Sequence, residues 1–265
     1  MTDASSDQNI QAFRWVGSET PLLDTPTVTS CGRVVIGRYG GHSGAGAMKN
    51  EDGALVWCAA DGRWEFAVLL DAHFSAESAE LVLAAVESER AGLVSALEAP
   101  PGAAFPALHA RLLALFTAPA FRARCRAVVG EASCLICARR GHYLWWLSIG
   151  DCVLYSFHAQ LAALGQFALT QRSFYEWVGH VNTFEEPAPC YATGTHQLLP
   201  GANTILLLTD GVLECGSQPF AEPMALYRLG RSARLARAAE WPARALGLTR
   251  ALGSPVIARA DRRGA

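Results

Sequence analysis

Phe66-Ala67-Val68-Leu69-Leu70-Asp71-Ala72-His73 is the stretch that decides the fold. Phe66 to Leu70 form an unbroken apolar run of strand length. Asp71 follows at the end of that run. A carboxylate half-desolvated at the end of a buried strand is costly unless it is paired, hydrogen-bonded or bound to a metal. Upstream, residues 54–60 form a similar apolar run. Asp61-Gly62 stands between the two runs and is a strong hairpin signal. Downstream the spacing becomes helical over residues 75–97. Ser75 can cap the start, Glu77 suits the helix dipole, and Leu81, Val82, Ala85, Val86, Leu93 and Val94 form a broad apolar face. Pro100-Pro101-Gly102 then breaks the chain, and a second helix is expected over 104–117.

The remaining chain supplies more strands. Residues 33–38 alternate. Residues 133–139, 143–148 and 153–158 read as three strands, turning at Arg140-Gly141 and Gly150-Asp151. Another strand is expected at 204–209 and a last one at 256–259. Residues 222–252 are helix-like and rich in Ala, Leu and Arg. Residues 1–30 are expected to form an irregular leader, broken by Gly17, Pro21 and Pro26, with Phe13, Trp15 and Val16 docked on the body. Residues 31–265 are expected to form a single domain. Within it, residues 159–203 show little periodicity and read as a flap-like segment or small subdomain. Strands, two helices, strands, then helices and a strand is not the alternation of a doubly wound parallel sheet. The order predicts an α+β protein, a four-layer sandwich of two antiparallel β-sheets flanked by helices.

The 265 residues hold 22 Lys+Arg and 24 Asp+Glu, a net charge of −2, and 51% are hydrophobic. That composition belongs to a folded globular chain and argues against a dedicated nucleic-acid binder. No apolar run approaches the roughly 18–20 residues of a membrane helix. Residues 1–11 lack the basic start and apolar run of a signal peptide. Eight cysteines, read as buried free thiols, point to a reducing cytoplasm. Cys134 and Cys137 form a C-x-x-C, but residues three apart on a strand face opposite ways, so a shared metal is not expected. Nine arginines fall between Arg228 and Arg263, which reads as a solvated helix face or a surface for an anionic partner.

Three acidic spots stand out: Asn50-Glu51-Asp52 before a strand, Asp71 after one, and Asp210-Gly211 after Ile205-Leu206-Leu207-Leu208-Thr209. Singly they read as a solvated turn, a helix cap and a common turn. Gathered at one end of a sandwich they would make a hard, oxygen-rich site suited to Mg²⁺ or Mn²⁺.

In this order they resemble the type 2C, metal-dependent protein phosphatases. Asn50-Glu51-Asp52 resembles the family's opening motif. Val68 to Ser75 takes the place of strand-Asp-Gly-His-Gly-Gly. Gly130-Glu131-Ala132-Ser133, then Ser148-Ile149-Gly150-Asp151-Cys152, then Leu207-Leu208-Thr209-Asp210-Gly211 follow in family order. The resemblance spans about residues 33–259. It implies that Asp71 bridges two divalent ions. Glu51, with Asp52 in the same motif, and the Ala72 carbonyl would serve one ion, and Asp210 the other. His73 would be the general acid for the leaving alkoxide, and the substrate a phosphoprotein. Two ions about 3.5–4 Å apart lower the pKa of a bridging water and clamp the phosphate.

The departures are specific. The glycines have become Asp71-Ala72-His73-Phe74-Ser75. Ala47 stands where the family carries a phosphate-holding Arg. Lys49, the single lysine, lies two residues on; in an extended segment it faces the same side and can serve as a point charge without the grip of Arg. Asp151 reads as a turn residue. The closing Gly253-Ser254-Pro255-Val256-Ile257-Ala258-Arg259 lacks the family's metal-binding Asp, and Asp261 lies beyond the strand. One of the two ions is therefore expected to be weakened or lost. Two functional classes follow: a serine/threonine phosphatase of reduced activity, or a pseudophosphatase that keeps the fold to bind protein partners.

Overall fold

The computed structural model describes residues 9–236 and 256–260. Among the described residues, twelve strands form two antiparallel sheets. The larger runs β1 (Ile10–Val16), β4 (Gly53–Ala59), β5 (Trp64–Ala72), β6 (Glu131–Arg140), β7 (Tyr143–Ile149) and β10 (Ala192–Gln197), with the short β9 (Val178–Gly179) also paired to β6. The smaller runs β2 (Thr27–Cys31), β3 (Val34–Arg38), β12 (Val256–Ala260), β11 (Thr204–Leu208) and β8 (Val153–Phe157).

Strand alternation sorts the core into three slabs. On β5, Phe66, Val68 and Leu70 face α1 (Glu77–Ser88), α2 (Arg90–Glu98), α3 (Pro101–Thr117) and α4 (Pro119–Cys125), packing with Leu81, Val86, Leu97, Leu108 and Phe116. Ala67 and Leu69 face the other way, onto Ile36, Leu154, Ile205 and Leu207 of the second sheet. The outer face of that sheet carries Tyr155, Phe157, Leu206 and Leu208. It packs on Val212 and Leu213 of α6 (Asp210–Glu214) and Leu226 of α7 (Pro223–Ala236). Each fully buried side chain of this kind contributes about 1.5–3 kcal/mol. The expected α+β four-layer sandwich is what the chain builds. Among the described residues no single helix is long and apolar enough to cross a membrane.

The irregular leader expected over residues 1–30 is corrected from Ile10 onward, and residues 1–8 lie outside the described residues. Ile10 to Val16 pair antiparallel with β4, from Ile10 opposite Ala59 to Val16 opposite Gly53, and β2 pairs with β3. Every residue of β4 is buried, so its outer edge needs a partner for its N–H and C=O groups. The turn residues Gly17, Pro21 and Pro26 lie around and between these strands rather than dissolving them. Residues 159–203 are also more ordered than their pattern implied. They hold α5 (Ala159–Ala163), β9 and β10, and β10 pairs with β7 over six residues. β10 is an exposed edge strand with little apolar alternation, which hid it. The helix expected over 75–97 is two helices meeting at Glu89. Of the helix expected over 222–252, α7 is seen to Ala236. Residues 237–252 lie outside the described residues, as do Gly253 to Pro255, Asp261 and most of the Arg-rich segment.

Candidate functional site

The parity that buries Ala67 and Leu69 between the sheets carries Asp71 to the same side, opposite Ser133 of β6. Three more aspartates gather on it from strand ends. Asp52 precedes β4 and is buried; its N–H donates to Asn50 Oδ1 at 3.1 Å and its carbonyl accepts from Gly17 N–H at 2.8 Å. Asp151 follows β7, accepts from Ser133 Oγ at 2.5 Å and donates its N–H to the same hydroxyl at 3.1 Å. Asp210 opens α6 beyond β11, and its N–H lies 3.4 Å from Asp71 Oδ2. Burial first, then the charges of Asp52, Asp210 and Asp151, push the Asp71 carboxyl well above its ordinary range. Burial and the charges of Asp151 and Glu214 also raise Asp210, against the opposing pull of Arg172.

Asp151 is therefore not a plain turn residue. It is 3% exposed and belongs to the cluster. The strand-end reasoning that singled out Asp71 applied to it equally. Arg172 had no signal at all, since it lies in the stretch without periodicity. Its Nη2 donates to Asp151, Asp210 and Glu214 at 3.3, 3.1 and 2.6 Å.

The other expected site residues sit around this cluster. Glu51 pairs with the Nζ of Lys49, which also donates to the Phe74 carbonyl at 2.8 Å. Asp52 is the carboxylate of its motif that bears on Asp71. Ala72 keeps strand geometry opposite Ala132. The left-handed conformation falls instead on Phe74, at φ 69° and with an exposed ring. Gly130 makes this bend fit, because a Cβ there would lie 2.0 Å from the His73 carbonyl. The His73 N–H donates to the Glu131 carbonyl at 2.8 Å. Its ring meets Trp177, in the 159–203 segment, edge-on, 5.1 Å between centroids.

The donors at the Asp71 end are hard carboxylates in excess of nearby positive charge, which suits a divalent cation. The Asp210 end does not fit a second ion as it stands, because Arg172 engages Asp151, Asp210 and Glu214. Among the described residues, no three His, Cys, Asp or Glu side chains stand together as ligands of one ion.

No protein-family model matches the chain. No curated protein matches it either. Solved structures do. A variant of a bacterial serine phosphatase superposes with a TM-score of 0.60 at 13% identity, covering 96% of this chain and 98% of that one. Serine-threonine phosphatase 2C from Toxoplasma gondii gives 0.60 at 11% identity, covering 95% and 99%. The catalytic domain of the serine threonine protein phosphatase PstP, in complex with two manganese ions, gives 0.52 at 14% identity, covering 96% and 98%. The chain has the fold of the type 2C serine/threonine phosphatases over nearly its whole length.

Proposed function

We propose that the protein is a type 2C-like phosphoprotein phosphatase with a degenerate site, hydrolysing phosphoserine or phosphothreonine esters slowly with Mn²⁺ or Mg²⁺. The observation that carries this reading is the gathering of Asp52, Asp71, Asp151 and Asp210 at one end of the sandwich. Asp71 and Asp52, with the Ala72 carbonyl, would hold the ion. A divalent ion bound there supplies charge neutralisation and acidifies a bound water. His73 lies two residues beyond Asp71, on a turn that Gly130 makes fit. With its ring set against Trp177, it would donate a proton to the departing alkoxide. Lys49, beside the Asn50-Glu51-Asp52 motif, would offer a positive charge for the phosphate. A point charge that already pairs with Glu51 holds phosphate less firmly than a bidentate guanidinium would. Seven buried free thiols accord with a cytoplasmic location.

A pseudophosphatase, acting as a binding module for a protein partner, is the second reading. It is favoured by Arg172 on the Asp210 side and by Ala47 where a phosphate-holding Arg is expected. Turnover of an aryl phosphate and a phosphopeptide, with Mn²⁺ titrated upward, separates the two. Slow Mn²⁺-dependent hydrolysis is expected, with Asp71→Asn at least about a hundredfold slower, as for loss of a group central to ion binding. Identical rates for Asp71→Asn and wild type at every Mn²⁺ level would leave the binding module.

A further inference from the structure

Arg172 is held on a fixed ledge. The Phe167 carbonyl accepts from Ser156 N–H at 2.8 Å, and Leu169 N–H donates to the Leu154 carbonyl at 2.8 Å. Thr170 Oγ1 accepts from Leu154 N–H at 2.8 Å, and Ser173 N–H donates to the Gly150 carbonyl at 3.0 Å. These bonds tie residues 167–173 to β8 and to the turn just before it. That turn carries Asp151, one of the carboxylates Arg172 engages. The guanidinium carbon also lies 4.8 Å from the centroid of the Phe174 ring. Arg172 thus reaches Asp151, Asp210 and Glu214 from a backbone anchored on both sides, and its side chain is 24% exposed.

Three carboxylates around one cation is the kind of charge environment that a divalent ion would otherwise satisfy. Here the cation is part of the chain. A guanidinium stays protonated throughout the accessible pH range and donates several fixed hydrogen bonds, but it has no open coordination position for water or phosphate. Lys49 on Glu51 is a different case. Its side chain is 61% exposed, and an ion pair with one partner open to solvent contributes little.

We propose that the Arg172 guanidinium stands in for a divalent ion at the Asp151–Asp210 end of the cluster, so that the protein binds one ion fewer than its carboxylates would hold. The inference shares the carboxylates of the proposed activity but does not depend on hydrolysis. The test is a count of bound Mn²⁺ by electron paramagnetic resonance on the full chain, for wild type and Arg172→Ala. Thermal midpoints in EDTA and in Mn²⁺ accompany it. Arg172→Ala is expected to bind one Mn²⁺ more than wild type. Its midpoint should fall in EDTA and be raised by Mn²⁺ by several degrees more than that of wild type. Should Arg172→Ala not fold, Arg172→Met keeps an apolar stem beside Phe174 and gives the same count. Equal counts in wild type and variant overturn the proposal, whatever the number. No ion in wild type and one in the variant keeps it while removing the metal-dependent activity proposed above. Two ions in both proteins do the reverse.

Discussion

At the residue scale, Asp71 is a carboxylate whose charge is disfavoured by burial and by neighbouring aspartates. It is 6% exposed and has three other aspartates acting on it. Its native pKa is raised, so the folded state binds this proton more tightly than the unfolded state does. The linked stability is therefore complete below the ordinary aspartate value of about 4 and is lost as pH rises through the higher native value. Asparagine carries no such penalty. In EDTA, Asp71→Asn is expected to be more stable than wild type at pH 7, with the gap closing as pH falls toward 4. Urea midpoints at both pH values check this; a gap that does not change with pH would contradict it. Asp71 was legible in the sequence because an apolar strand ran directly into it. Phe74 is a second residue held against its preference, in a backbone conformation that glycine adopts freely. The departure from glycine was visible in the sequence, but only the structure shows that Phe74, rather than Ala72, takes the positive φ.

At the scale of elements, β5 and β6 carry a charge pair into the space between the sheets. Glu65 stands opposite Arg139 in register, both are nearly fully buried, and Arg139 Nε donates to Glu65. Arg139 also donates to the carbonyls of Gly141, at 2.7 Å, and Gly62. Removing one partner of such a pair leaves a charge in the core and costs about 3–5 kcal/mol, whereas replacing both with apolar residues is often neutral. Arg139→Met is expected to lose stability in that range in denaturant titrations. Glu65→Leu with Arg139→Met should recover most of it. A double variant no more stable than the single one would show that Arg139 matters for its carbonyl contacts instead. β4, β5 and β6 were readable as apolar runs because both of their faces are buried, and α1 from its helical periodicity. β1 and β10 were not, because edge strands are partly exposed and mix polar residues into both faces.

At the scale of the molecule, the two sheets and their helices leave one thiol open. Cys190 is exposed, and the other seven cysteines are buried. The C-x-x-C splits as alternation requires: Cys134 faces the helices and Cys137 faces the second sheet. Burial pushes the Cys134 thiol up to about 12 and Cys125 to about 11, which leaves both protonated and inert at neutral pH. A thiol reagent is expected to label one cysteine rapidly in the native protein and eight in denaturant, counted by mass. Rapid labelling of two or more would mean that the sandwich opens without unfolding.

Strand periodicity, the break to helix after His73 and the carboxylates at strand ends were local properties. They were enough to determine the sandwich and to mark Asp52, Asp71 and Asp210. Each side chain's face follows from its neighbours two residues away. What meets what across the molecule was decided by tertiary structure alone. Asp71 and Asp210 are 139 positions apart, and Arg172 and Asp210 are 38 apart. Asp151 joined the cluster because β7 ends beside β5's neighbour β6. Arg172 reached it because a stretch without periodicity is tied along β8. Periodicity reports which way a side chain points within an element. It does not report which charge from another element will be waiting there, because that depends on how the two sheets stack and where the connecting segment is anchored.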